Sequence, residues 1–195
     1  EGNEGVGSNN YCITIPNAGN TNTVETTNVI VSDEGLVINQ TPVMNGVFDG
    51  LAVWGNPIAI ADNIPGWAGV NAQELFLTQD DNYIYVGAKV TAADWQSWVF
   101  LLNTKAGGGN SDSWSRSIDY VHTDRPDYIL RGNFGGYAEF HTWNGVAWTG
   151  YSAIPSTEFG ENETNWVEGR ILKSAIGDIC DIDVQFYFTG NNNEH

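Results

Sequence analysis

Positive charge is scarce in this chain. Seven of its 195 residues are Lys or Arg against 24 Asp or Glu, for a formal charge of −17. So negative a surface repels nucleic-acid phosphates and anionic lipid; it excludes both as partners and leaves neutral ligands, metal cations or plain solubility. Cysteine is nearly absent. Cys12 and Cys180 form no CxxC or Cys/His zinc spacing. They either make one disulfide in an oxidising compartment or stay two separate buried thiols. No apolar run approaches a membrane span. A nucleophile elbow, a Walker loop and a dinucleotide fingerprint are all missing. His122 and His141 stand 19 residues apart, without the helical spacing of a zinc pair, and His195 is terminal. The sequence begins at Glu1 with neither initiator Met nor signal peptide, which reads as a mature or excised fragment.

What is abundant points to β-structure. Apolar residues make up 41%, enough for one core, and charged residues only 16%. Asn, Thr, Ser and 23 Gly fill the difference, a mixture suited to strands and turns. The length fits one domain with a short extension. Residues 1–40 read as an N-terminal extension or edge element, with short β-like runs at 12–15 and 29–31. Residues 41–195 read as the β-sandwich. Strands are expected at 74–78, 83–90, 98–102, 128–130, 137–143, 166–171 and 184–188. The segment Gln79-Asp80-Asp81-Asn82 is a turn, Asn144-Gly145 a hairpin turn, and residues 107–112 a Gly-rich loop. Only residues 172–176 hint at a helical turn. Many short strands separated by turns define an all-β fold, a sandwich or jelly roll of mainly antiparallel strands.

Four stretches carry a family resemblance. Met44-Asn45-Gly46-Val47-Phe48-Asp49 followed by Trp54 resembles the "IDG…D…W" opening of family 9-like carbohydrate-binding modules, which belong to the DOMON-like sandwiches. Asp80-Asp81-Asn82-Tyr83-Ile84-Tyr85-Val86 resembles their "D-x-x-Y-L-Y-V" hairpin, and Leu101-Leu102-Asn103 the strand that ends "I-D". Trp166-Val167-Glu168-Gly169-Arg170-Ile171, running on to Gly177, resembles their "E-x-x-I-P…L-G" segment. Asn45 and Asn103 stand where the family carries Asp. The match spans about residues 42–190. It implies a β-sandwich, sugar binding, often structural calcium, and an extracellular, secreted or cell-surface protein. It also implies a covalently linked catalytic domain, a glycoside hydrolase or lyase for which this chain is an accessory module. The wider superfamily includes haem- and catechol-binding domains, so the fold alone leaves the ligand open.

Eight Trp supply candidate sugar contacts, because aromatic faces attract the C–H groups of pyranose rings. Trp54, Trp67 and Trp166 sit beside core-like strands and read as packing residues. Trp95 and Trp98 lie near the position where the family presents a binding Trp, and either can fill it. Trp114 falls in the Gly-rich stretch, where a core role is hard to arrange. Trp143 and Trp148 flank a four-residue loop that sets their rings opposite each other, either as a sugar platform or as a cross-strand pair stabilising the hairpin.

Four of the seven basic residues, Lys105, Arg116, Arg125 and Arg131, cluster within 105–131. An Arg fork can grip hydroxyls, a carboxylate or a sulfate; alternatively these residues pair with Asp112, Asp119, Asp124 and Asp127. Residues 95–131 are thus expected to form the rim that binds a polysaccharide or oligosaccharide. The overall acidity favours a neutral glucan, xylan or galactan, while the basic cluster keeps a charged glycan open. Asp49, Asp80, Asp81, Asp119 and Glu139 are the candidate calcium ligands, and no organic cofactor is expected. Two readings rank below a non-catalytic binding module. One is a small sandwich lyase or hydrolase, which needs acid and base groups facing one another. The other is a haem-binding redox sandwich with Met44 and either His122 or His141 as axial ligands.

Overall fold

The computed structural model describes residues 41–61, 70–92, 96–118, 125–149, 152–177 and 182–189. The expected extension at 1–40, both cysteines, Trp67, Trp95, Asp119, His122 and Asp124 lie outside the described residues. The chain runs α1 (Leu51–Trp54), β1 (Ala59–Ile60), β2 (Asn71–Gln79), β3 (Tyr83–Thr91), β4 (Ser97–Asn103), β5 (Tyr128–Asn133), β6 (Tyr137–Thr142), β7 (Ser152–Ala153), β8 (Phe159–Asn162), β9 (Trp166–Leu172), α2 (Lys173–Ile176) and β10 (Asp183–Thr189). The strands form two five-stranded sheets, ordered β1-β2-β3-β9-β8 and β10-β4-β5-β6-β7. Every pairing within them is antiparallel. The protein is an all-β sandwich. No helix among the described residues is long and apolar enough to cross a membrane.

The inner faces of the sheets meet in one core. Leu75, Leu77, Ile84, Val86, Ala88, Val90 and Val167 come from the first sheet, and Trp98, Phe100, Leu102, Leu130, Val184 and Phe188 from the second. Parts of the two outer faces are apolar as well, which explains why several strands show no alternation. On β4, Trp98, Phe100 and Leu102 point inward, while Val99 and Leu101 join Ile129 in a separate cluster on the outside. A strand covered on both faces reads as one continuous apolar run.

The first sheet is covered outside by the strap before β1. Phe76, Tyr85 and Trp166 from β2, β3 and β9 pack with Val53 and Trp54 of α1, and with Met44 and Phe48. The rings of Trp54 and Trp166 meet edge-on with centroids 5.1 Å apart. Glu168, fully buried, fastens the strap: Asn45 N and Gly46 N donate to its Oε1 at 2.8 and 2.9 Å, and Trp166 Nε1 donates to its Oε2 at 2.7 Å. This close approach requires glycine. Gly46 has φ +74°, and a Cβ at Gly160 would collide with the Gly46 and Asn45 nitrogens.

The β2–β3 turn is built on Asp80. Its Oδ1 accepts from Asn82 N and Tyr83 N at 2.8 and 2.7 Å, and its Oδ2 accepts from Tyr85 OH at 2.5 Å. Burial pushes the Asp80 carboxyl up, but these hydrogen bonds outweigh it and hold the group below its ordinary value. Lys173 of α2 closes the turn by donating to Asp80 O. Three of the four stretches that carry the family resemblance therefore assemble on the first sheet, where they hold the architecture together. The fourth is β4.

Candidate functional site

The outer face of the second sheet carries the chemistry. Across β4, β5 and β6, Val99, Arg131 and Glu139 stand in register, and in the next row stand Leu101, Ile129 and His141. Arg131 Nη2 pairs with Glu139 Oε1 directly across the strands. Tyr137 OH donates to Glu139 Oε2 at 2.6 Å, and His141 Nε2 lies 3.0 Å from Oε1. His141 Nδ1 lies 3.2 Å from Thr149 O. Burial raises the Glu139 carboxyl, but the hydrogen bonds from Tyr137 and His141 and the charge of Arg131 hold it below its ordinary value. Burial lowers the Arg131 guanidinium despite the Glu139 charge beside it.

A tight turn sets a tryptophan over this row. Asp112 is buried, and its Oδ1 accepts from Trp114 N and Arg116 N, both at 2.9 Å. Its Oδ2 accepts from Arg116 Nε at 2.5 Å, and its own N–H donates to Arg116 O at 2.9 Å. Ser115 takes φ 66° to close the turn, a backbone conformation that non-glycine residues seldom adopt. The Trp114 ring, 41% exposed, lies with its centroid 3.4 Å from Arg131 Cζ and 4.5 Å from Arg116 Cζ. Arg116 Nη1 reaches Thr189 Oγ1 on β10. Stacking two guanidiniums on one indole holds the ring in place.

The loop carrying Trp114 is anchored at its base by the β6–β7 hairpin. Trp143 and Trp148 form an isolated antiparallel bridge, and their rings meet edge-on with centroids 5.3 Å apart. Gly109 fits against both rings, and Trp148 Nε1 donates to Ser111 O at 2.7 Å. Ile118 packs on Val99, Leu101 and Ile129. The hairpin turn follows from Asn144, whose Oδ1 accepts from Val146 N and Ala147 N at 3.0 and 2.9 Å.

The structure thus brings Trp114, Arg116 and Arg131 together, with Trp143 and Trp148 below them as a half-buried loop anchor. Trp98 requires a correction. It is fully buried between the sheets, packed on Phe100 and Phe159, and cannot meet a sugar. Arg125 is exposed, and among the described residues its backbone N–H links it to the site by donating to Gly107 O at 3.2 Å. Of the expected acid partners, Asp112 does pair with Arg116. Asp127 instead accepts backbone N–H groups of Thr104 and Lys105 at 3.0 and 3.1 Å.

The four calcium candidates among the described residues do not converge. Asp49 Oδ2 caps Val43 N at 2.8 Å on the strap, Asp80 organises the β2–β3 turn, Asp81 is exposed beside it, and Glu139 is ion-paired on the other sheet. No three His, Cys, Asp or Glu group together to hold a metal among the described residues. These four therefore do not fit a common ion. The haem pair of Met44 with His141 fails too, because Met44 packs outside the first sheet and His141 lies outside the second, with the core between them.

Asp112 and Tyr137 were not picked out from the sequence as members of a binding site. The signal for the first is the Asp112-x-Trp114-x-Arg116 spacing, an Asx turn with a ring at its tip. For the second it is the period of two in Tyr137, Glu139 and His141. Compared with known proteins, the chain matches no family model, no curated protein and no solved structure.

Proposed function

We propose that the chain is a non-catalytic carbohydrate-binding module of a secreted or cell-surface protein, covalently joined there to a polysaccharide-degrading domain. The observation that carries this reading is Trp114. A large indole stands 41% exposed at the tip of a turn braced by Asp112, above guanidinium and carboxylate groups. A held aromatic surface beside a few oriented polar groups is what pyranose recognition requires. Tyr137, 41% exposed on the same face, extends it.

The test is retention on a panel of polysaccharides by affinity gel electrophoresis. Retention of the wild-type chain, lost in Trp114→Ala with the fold intact by circular dichroism, supports the reading. Failure to be retarded on every polymer overturns it. The hydrogen-bonded row Tyr137, Glu139 and His141 favours a second reading, a small sandwich lyase or hydrolase. Release of new reducing or unsaturated ends, abolished in Tyr137→Phe or Glu139→Gln, would establish that one instead.

A further inference from the structure

We propose that Arg131, beneath the Trp114 ring, is a subsite for the anionic substituent of an acidic polysaccharide, a uronate carboxylate or a sulfate ester. The proposal rests on the reading of the chain as a glycan binder and names the class of glycan. Arg131 sits on an internal strand, between Val99 on one side and Glu139 on the other, with its side chain 10% exposed. Glu139 engages Nη2 alone. Nε and Nη1 are buried with no hydrogen-bond partner among the described residues. A guanidinium is a planar fork whose in-plane N–H groups match the paired oxygens of an anion. Buried donors left open are rare, because removing them from water without a partner is costly. Here they lie under the one ring already singled out for stacking.

The charge pattern agrees. On a chain of −17, two of seven basic residues meet at one indole. Arg116 is already committed to Asp112 and Thr189, which leaves the open N–H groups of Arg131 to receive the ligand. Long-range repulsion from the acidic surface is screened beyond about 8 Å at physiological salt, so the contact is made locally.

The experiment uses the full chain at about 0.15 M salt. Retention and tryptophan fluorescence are compared on pectate and alginate, on a sulfated galactan, on their carboxyl-reduced or desulfated forms, and on neutral laminarin and xylan. The expected result is affinity for an anionic polymer that falls roughly tenfold or more when its charge is removed, with an indole fluorescence change on binding. Loss on carboxyl reduction assigns a uronate and loss on desulfation a sulfate; either supports the subsite. The variant arm is Arg131→Lys, which keeps the charge facing Glu139 but loses the fork, and it should bind roughly tenfold more weakly. Because any change at Arg131 can disturb folding, the comparison of native and modified polymers on the unaltered chain decides the question alone. Equal retention on native and modified polymers overturns the subsite and leaves the glycan-binding reading standing. No retention on any polymer overturns both.

Discussion

Trp166 and Glu168, two residues apart on β9, share a fully buried hydrogen bond of 2.7 Å from the indole N–H to the carboxyl. Around that bond the strap is held to the first sheet. Burial pushes Glu168 up to about 6, against the hydrogen bonds from Trp166, Asn45 and Gly46 that pull it down. A raised carboxyl makes the folded state prefer the neutral form. Its contribution to stability is therefore full below the ordinary value of 4.5 and is lost as pH rises through about 6. The loss is about 2 kcal/mol. Urea unfolding of wild type and Glu168→Gln between pH 4 and pH 7.5 checks this, since the glutamine variant lacks that titration while sharing every other.

Asp80 gives a pH dependence of opposite sign. Its carboxyl is held below 3.8, so the stability it confers is present above that value and is lost as pH falls. Tyr85 OH is one of its donors. Tyr85→Phe is expected to cost about 1 kcal/mol at neutral pH, and the deficit should shrink on acidification. Acid titration of the melting temperature measures it.

Two tryptophans should separate folding from binding. Trp98→Ala opens the space between the sheets and should cost about 3–5 kcal/mol. Trp114→Ala removes stacking on Arg116 and Arg131 and should cost only about 1 kcal/mol, while abolishing retention on the polysaccharide. Denaturant curves run beside affinity gels give both numbers.

Gly109 tests the anchor of the Trp114 loop. A methyl there would lie 2.9 Å from Trp143 Cε3 and 2.9 Å from Trp148 Cζ2. Gly109→Ala should cost about 1–3 kcal/mol by overpacking and weaken polysaccharide retention with Trp114 itself unchanged. A binding loss smaller than that of Trp114→Ala is the expected order.

Local chemistry made most of the scaffold legible. The β2–β3 hairpin followed from Asp80 to Asn82 between two β-rich runs and the β6–β7 turn from Asn144-Gly145, while residues 172–176 gave a hint of the helical turn α2. The short helix α1 was hidden, being four residues set between Gly50 and Gly55. The roles of the tryptophans were less legible for a physical reason. With both faces of β4 apolar, the pattern at Trp98, Val99, Phe100 and Leu101 carries no mark of which side meets the other sheet. The clustering of basic residues before β6 was visible, but the pairing of Arg131 with Glu139 depends on cross-strand register, which composition does not encode. Asp112 was seen as one of four local acids that could pair with the basic cluster; its pairing with Arg116 and its role in shaping the turn emerge only from the structure.

Because Asp112 grips the backbone on both sides of the turn, Ser113, Trp114 and Ser115 form a cassette fastened at its ends. Substitutions at Ser113 and Trp114 would change the outer surface of this turn while leaving both of its ends pinned to Asp112.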